Sequence, residues 1–190
     1  MSNTMKMLKV KSFIREVFQT IILGVAIFVI LQISIQPYKV EGSSMHPTMS
    51  SGDFVLVNKV IYWKLPFYES VNSKYVFHTP RRGELVIFDY PYDDSRKFVK
   101  RVIAVPGDTL EIKQGTVIIN SEVIDEPYVY HPSTENIRPI TVPRGSYFVL
   151  GDNRQNSQDS RSFGLVSSEA ILGRALISYW PISNLAHDLR

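Results

Sequence analysis

The longest hydrophobic run in the chain extends from Val17 to Tyr38, 22 residues without a formal charge and dominated by Ile, Leu, Val and Phe. As a helix rising 1.5 Å per residue it would be about 33 Å long, enough to cross a bilayer core of roughly 30 Å. Gln19, Thr20, Gln32 and Ser34 lie toward its ends, where polar groups cost least, and Pro37 is expected to stop it. A cleavable leader fits less well, because the run is long and no small-x-small site follows it. A buried core helix fits poorly with the four cations ahead of the run, Lys6, Lys9, Lys11 and Arg15, which meet no acidic residue in the first fifteen positions. The expectation is a transmembrane anchor over 17–38. The positive-inside rule puts residues 1–16 in the cytoplasm and 39–190 outside it.

Beyond Pro37 the pattern changes to short β-like runs divided by turn residues. Phe54–Val57, Glu84–Phe88, Phe98–Val105, Thr116–Ile119, Tyr147–Leu150 and Ala175–Trp180 are each bounded by Gly, Pro, Asp or Asn. Such punctuation predicts a mainly β fold with an antiparallel core. Residues 62–80, aromatic and weakly periodic, read as a loop. Residues 121–143, with Pro127, Pro132, Pro139 and Pro143, read as a small inserted β lobe.

Composition narrows the function classes. With 190 residues the chain can hold one medium domain beside the anchor. It has no cysteine, which removes thiol nucleophiles, disulfide frameworks and thiolate metal sites. His46, His78, His131 and His187 show no ligand spacing, so neither a metal nor a cofactor is expected. The net charge of +3 is accounted for largely by the N-terminal cations, and no basic stripe with aromatic interleaving points to nucleic acid.

The candidate chemistry lies at three places. Lys100 shares one side of its strand with Phe98, Val102 and Ala104, an otherwise apolar row, while Arg101 points the other way. Burial there would disfavour the ammonium. The tuning matters, because a lysine near its free value of 10.4 is neutral in only roughly one molecule in a thousand at pH 7 to 8. The bland reading of Lys100 is an edge-strand lysine snorkelling to solvent. Ser44, in Gly42-Ser43-Ser44-Met45-His46-Pro47-Thr48, sits on a tight loop only six residues past Tyr38, within roughly 20 Å of the anchor when extended. By itself this segment reads as a linker leaving the membrane. A serine nucleophile with a neutral lysine as base joins the two; a Ser-His-Asp arrangement through His46 is the weaker option. The third place is Gly151–Gly164, dense in polar side chains directly after an apolar strand. There Ser157 could orient the lysine amine, with Asp159 and Arg161 paired beneath it. A solvated loop is the plain alternative.

Taken together, these segments resemble the bacterial type I signal peptidases, and the short form with one anchor is more similar to the Gram-positive enzymes. Ser44-Met45-His46-Pro47-Thr48 resembles the nucleophile box. Arg82-Gly83-Glu84-Leu85-Val86-Ile87-Phe88 resembles the Arg-Gly-acid strand. Lys100 through Asp108 resembles the general-base box, and Gly151 to Gly164 the last box. The resemblance implies a membrane-bound serine endopeptidase that removes signal peptides from exported preproteins after small-x-small motifs. Ser44 would be the nucleophile and Lys100 the base. Ser157 would contact the lysine, and Ser44 N–H would form part of the oxyanion hole. Some relatives carry a hydroxyl donor where this chain has Gly42. The resemblance also implies shallow substrate pockets, for which Met45, Pro47 and Val99 are the candidates. Preproteins and the lipid bilayer are the implied partners, and the secretion machinery is a further one that the resemblance suggests. Two rivals remain: a self-cleaving Ser/Lys repressor peptidase, which would need no anchor, and a non-catalytic membrane-anchored β-domain, which would not need both Ser44 and Lys100.

Overall fold

The computed structural model describes residues 2–64 and 75–181, with side chains from Lys11 onward except Ser12. The chain forms two compact units, Met1–Ile35 and Gln36–Arg190. The first is a single helix, α1 (Ser2–Ser34), whose Phe13–Ser34 portion is long and apolar enough to cross a membrane. The helix ends before the expected Tyr38, and Ile35–Lys39 form a strand, β1. Pro37 accounts for this. Its ring disfavours helical geometry at the residue before it, so the helix has to stop upstream of the proline.

The second unit is mainly antiparallel β. Its strands are β2 (Phe54–Asn58), β3 (Leu85–Tyr90), β4 (Asp93–Ala104), β5 (Thr109–Lys113), β6 (Thr116–Ile119), β7 (Glu122–Val123), β8 (Ile137–Thr141), β9 (Ser146–Leu150), β10 (Val166–Ser167) and β11 (Ile171–Trp180). A short helix, α2 (Ser160–Phe163), follows β9. A seven-stranded sheet runs β1-β2-β11-β3-β4-β9-β10, and a four-stranded one β7-β6-β5-β8. The smaller sheet is the inserted lobe, and it begins at Thr109, upstream of the expected 121. β5 was hidden in the sequence by its brevity, although Thr-Leu-Glu-Ile-Lys alternates as a half-buried strand should. Of the expected loop over 62–80, residues 65–74 lie outside the described residues; Lys64 and Tyr75, on either side, form an isolated β-bridge.

β3 sets the layering. Val86 and Phe88 bury one face with Tyr62, Val102, Val149, Phe163 and Ile171. Leu85 and Ile87 bury the other with Val40, Met45, Met49, Val55 and Val57. Period-two alternation with both faces apolar is what a central strand requires. A third cluster, including Ile103, Leu110, Val117, Phe148 and Leu150, joins the lobe to the ends of β4 and β9.

Candidate active site

The register of β3 and β4 places the lysine. Phe88 lies opposite Phe98 and Val86 opposite Lys100, in antiparallel pairing. Lys100 therefore sits in the row of Phe98 and Val102, and it is 3% exposed. Burial pushes its pKa down to about 8, against the opposing pull of the carboxylates of Asp159 and Asp152. Its amine lies 2.7 Å from Ser44 Oγ and donates also to its neighbour Val99 O at 3.0 Å. The Phe98 ring centroid is 5.1 Å from the same nitrogen.

Ser44 reaches this point on the loop between β1 and β2. Val40 N donates to Asp53 O (2.8 Å) and Gly52 N to Val40 O (2.9 Å), closing the loop at its base. Met45 and Met49, both 1% exposed, plug it into the core, and Met49 N donates to Met45 O to form one helical turn. Gly42 has φ +89°, a left-handed conformation that residues with a side chain adopt only at a cost. The next tether is on the far side of β9: Asn153 N donates to Ser44 O (3.0 Å), and Asn153 Nδ2 to Ser43 O (3.2 Å).

Three arginines hold the loop after β9. Arg101 donates Nε to Asp152 Oδ1 (2.9 Å) and Nη2 to Asp152 Oδ2 (2.7 Å), while its Nη1 donates to Gly83 O (2.8 Å). Thr48 donates to the same Asp152 carboxylate at 2.5 Å, so one buried acid links β4 to the Ser44 loop. Arg161 makes a two-pronged pair with Asp159, with Nε to Oδ1 and Nη2 to Oδ2 both at 2.8 Å, and Asp159 Oδ2 accepts from Gly151 N at 3.0 Å. Arg154 donates Nε to Gly151 O (3.0 Å) and grips Glu126 of the lobe at 2.6 and 3.0 Å. Paired and hydrogen-bonded in this way, buried charges become tolerable.

A cleft of about 650 Å³ opens over the Ser44–Lys100 pair. One wall is Tyr38–Ser44 and the other Ser95–Val99, with Met49, Val55 and Ile87 supplying apolar surface and Asn156 and Gln158 polar groups. The sequence-derived candidates fall into three groups. Ser44, Lys100, Gly42 and Val99 line the cleft. Asp159 and Arg161 pair as anticipated, close to it. Met45 and Pro47 do not line it: Met45 is turned into the core by the helical turn that follows Ser44, and Pro47 is exposed. Ser157 Oγ is buried without a hydrogen-bond partner among the described residues. It packs against Gly151, as does the Ser44 carbonyl.

Sequence reasoning passed over Arg101, Asp152, Thr48, Arg154 and Glu126. The available signal was Arg101 itself, a cation between Val99 and Ile103 on the second face of the strand.

The signal peptidase family, peptidase S26, matches residues 12–180. The chain belongs to that family. Among curated relatives, "Probable signal peptidase I-2" of Synechocystis is 36% identical over 81% of this chain and 69% of its own length. Signal peptidase IB of Staphylococcus aureus is 32% identical over 94% of this chain and 95% of its own. A crystal structure of a signal peptidase I from Enterococcus faecalis aligns at 33% identity over 52% of this chain and 98% of the solved one, with a TM-score of 0.47. The family match and the curated relatives make the chain a signal peptidase, and the cleft over Ser44 and Lys100 is its candidate active site.

Proposed function

We propose that this signal peptidase cuts exported preproteins after small-x-small motifs by a Ser44/Lys100 dyad. α1 anchors it, with the basic N-terminus in the cytoplasm and the catalytic unit outside. The supporting observation is the buried lysine amine 2.7 Å from a serine hydroxyl, in a row apolar enough to lower its pKa to about 8. In its neutral form the amine accepts the Ser44 proton as Oγ attacks the scissile carbonyl. The ammonium then gives that proton to the leaving amine, and the acyl-enzyme is hydrolysed by a water that Lys100 activates in turn. Ser44 N–H stabilises the oxyanion; the backbone at Gly42 is poorly suited to a hydroxyl-bearing side chain that could add a second donor.

The substrate lies extended between the two cleft walls, exchanging main-chain hydrogen bonds with them. Val99, Ile87, Met49 and Val55 form the apolar floor, and small side chains fill it without displacing core residues. Ser157, its hydroxyl buried and without a hydrogen-bond partner among the described residues, is proposed to receive a Lys100 N–H when the amine turns away from Ser44. Contact with the secretion machinery is proposed as an accessory role of the outer unit.

The test is cleavage of a preprotein bearing Ala-x-Ala by the detergent-solubilised chain, with the product N-terminus identified by mass. One cut directly after the second alanine is expected. Replacing that alanine with leucine lowers kcat/KM tenfold or more, about the range that a hydrophobic pocket gives per misfitted group. Indifference to leucine would overturn the specificity assignment.

A further inference from the structure

One wall of the cleft is an open strand edge. β3 pairs with β4 along one side, but β9 pairs with it on the other only from Arg101 onward, so among the described residues Ser95–Val99 keep a free edge where they line the cleft. An extended preprotein can add to that edge as a further strand. Small-x-small recognition lies upstream of the cut, so the stretch of cleft leading away from Ser44 holds residues that precede the scissile bond. Alternation then divides them between two faces. The first and third residues before the cut share the side of Val99, which stands opposite Ile87 over the apolar floor. The second and fourth share the side of Phe98 and Arg96, a face that the small-x-small motif leaves unused.

Arg96 is set up on that face to meet an anion. Its guanidinium carbon lies 5.4 Å from the Tyr90 ring centroid and 5.3 Å from that of Phe98. The two rings stack on each other at 4.7 Å, with 24° between their planes. Gln158, across the cleft in the loop after β9, donates Nε2 to Tyr90 Oη at 2.9 Å, and the Phe163 ring stands edge-on to Tyr90 at 5.7 Å. The platform under the guanidinium is thus fixed from two directions. It holds the flat face of the group and leaves the N–H donors at its edge for a ligand. Among the described residues Arg96 forms no ion pair or hydrogen bond. Asp93, whose carboxylate its charge reaches, is engaged by Ser95 N and Oγ at 3.1 and 2.6 Å. Lys97, the next cation on the strand, is held by Asp89 at 2.9 Å, and on the facing wall Lys39 and Glu41 carry opposite charges.

We propose that Arg96 is a specificity residue, through which this enzyme favours preproteins with a carboxylate at the fourth residue before the cut. This rests on the Ser44/Lys100 reading of the cleft. Lys100 marks the cut, and each two-residue step along β4 matches one along a strand paired to it. Phe98 therefore falls beside the second residue and Arg96 beside the fourth. A guanidinium offers a carboxylate two parallel donors while its face stays on the rings, which a lysine in this place could not do.

The experiment compares Ala-x-Ala peptides with Glu, Gln or Lys at the fourth residue before the cut, using the full chain in detergent at low ionic strength. The readout is the ratio of kcat/KM for the Glu and Gln peptides within one preparation, so a defect of folding or chemistry common to both cancels. The parent is expected to favour Glu over Gln about fivefold, the upper range for an ion pair open to water, and to cut the Lys peptide more slowly than either. The difference lies in KM, as a contact made equally in ground and transition states requires. It shrinks in roughly 0.5 M salt, which screens an exposed pair. Arg96→Gln brings the ratio to about one, and Arg96→Glu inverts it, so that the Lys peptide becomes the better substrate. A parent that cuts all three peptides equally overturns the proposal, as does an Arg96→Glu variant that still prefers Glu. A parent that cuts none of them overturns the Ser44/Lys100 reading, and the proposal with it.

Discussion

Lys100→Met and Ser44→Ala will each lower kcat by at least about a thousandfold at every pH, the scale set by losing a positioned base or the nucleophile it activates. The parent profile carries a sign that the variants lack. With Lys100 as the proposed base, catalysis would need the neutral amine, so kcat/KM should climb through about pH 8 and level off above it. A profile flat from pH 6 to 10 would count against Lys100 as the titrating base. The same burial predicts an opposite effect on stability. A folded-state value near 8 against an ordinary 10.5 corresponds to about 3 kcal/mol. That cost is fully present below pH 8, where the lysine is charged in both folded and unfolded chains. It fades between pH 8 and 10.5, as the folded state sheds a proton that the unfolded state keeps. Lys100→Met should therefore melt higher than the parent at pH 7, by a margin that narrows toward pH 10.5. Calorimetry or circular dichroism at the two pH values checks this, and a lower melting temperature at pH 7 would show that the lysine is not paying a desolvation cost. A variant both dead and more stable is the signature of a site that trades stability for chemistry.

How much of this was legible depends on the range of the interaction involved. Lys100 stood out because its row, Phe98, Val102 and Ala104, is a local pattern that any strand imposes. Antiparallel β architecture and the apolar helix were legible for the same reason. Arg101 was not, since a cation on the opposite face reads as solvated until Asp152, 51 positions away, is seen to bury it. Met45 and Pro47 misled because adjacency to Ser44 in sequence was taken for adjacency to the substrate; the turn closed by Met49 N and Met45 O sends Met45 into the core. Ser157 is an intermediate case. Its loop was recognisable from its polarity, yet the tight approach of its hydroxyl to Gly151 depends on how β9 meets the Ser44 loop, which no local pattern encodes.

That approach makes Gly151→Ala the sharpest steric test of the site. A Cβ at position 151 would run into the Ser157 hydroxyl, and would lie 2.6 Å from Ser157 Cβ and 2.5 Å from the Ser44 carbonyl oxygen. The first of these can yield by rotation, but the last is backbone and cannot swing away. Ser44 O is itself held by Asn153 N, so relief requires the nucleophile loop and the loop after β9 to separate. Gly151 N and O are also committed, to Asp159 Oδ2 and Arg154 Nε, so the glycine cannot retreat instead. A displacement near 1 Å at the nucleophile costs about a hundredfold in rate, and that loss in kcat is expected with a smaller change in KM. Gly151→Ala/Ser157→Gly separates the two clashes. It removes the side-chain conflict and leaves the carbonyl one, so activity should stay close to that of the single variant. Recovery to the parent rate in the double variant would mean that Ser157, and not the Ser44 main chain, is what forbids a side chain at position 151.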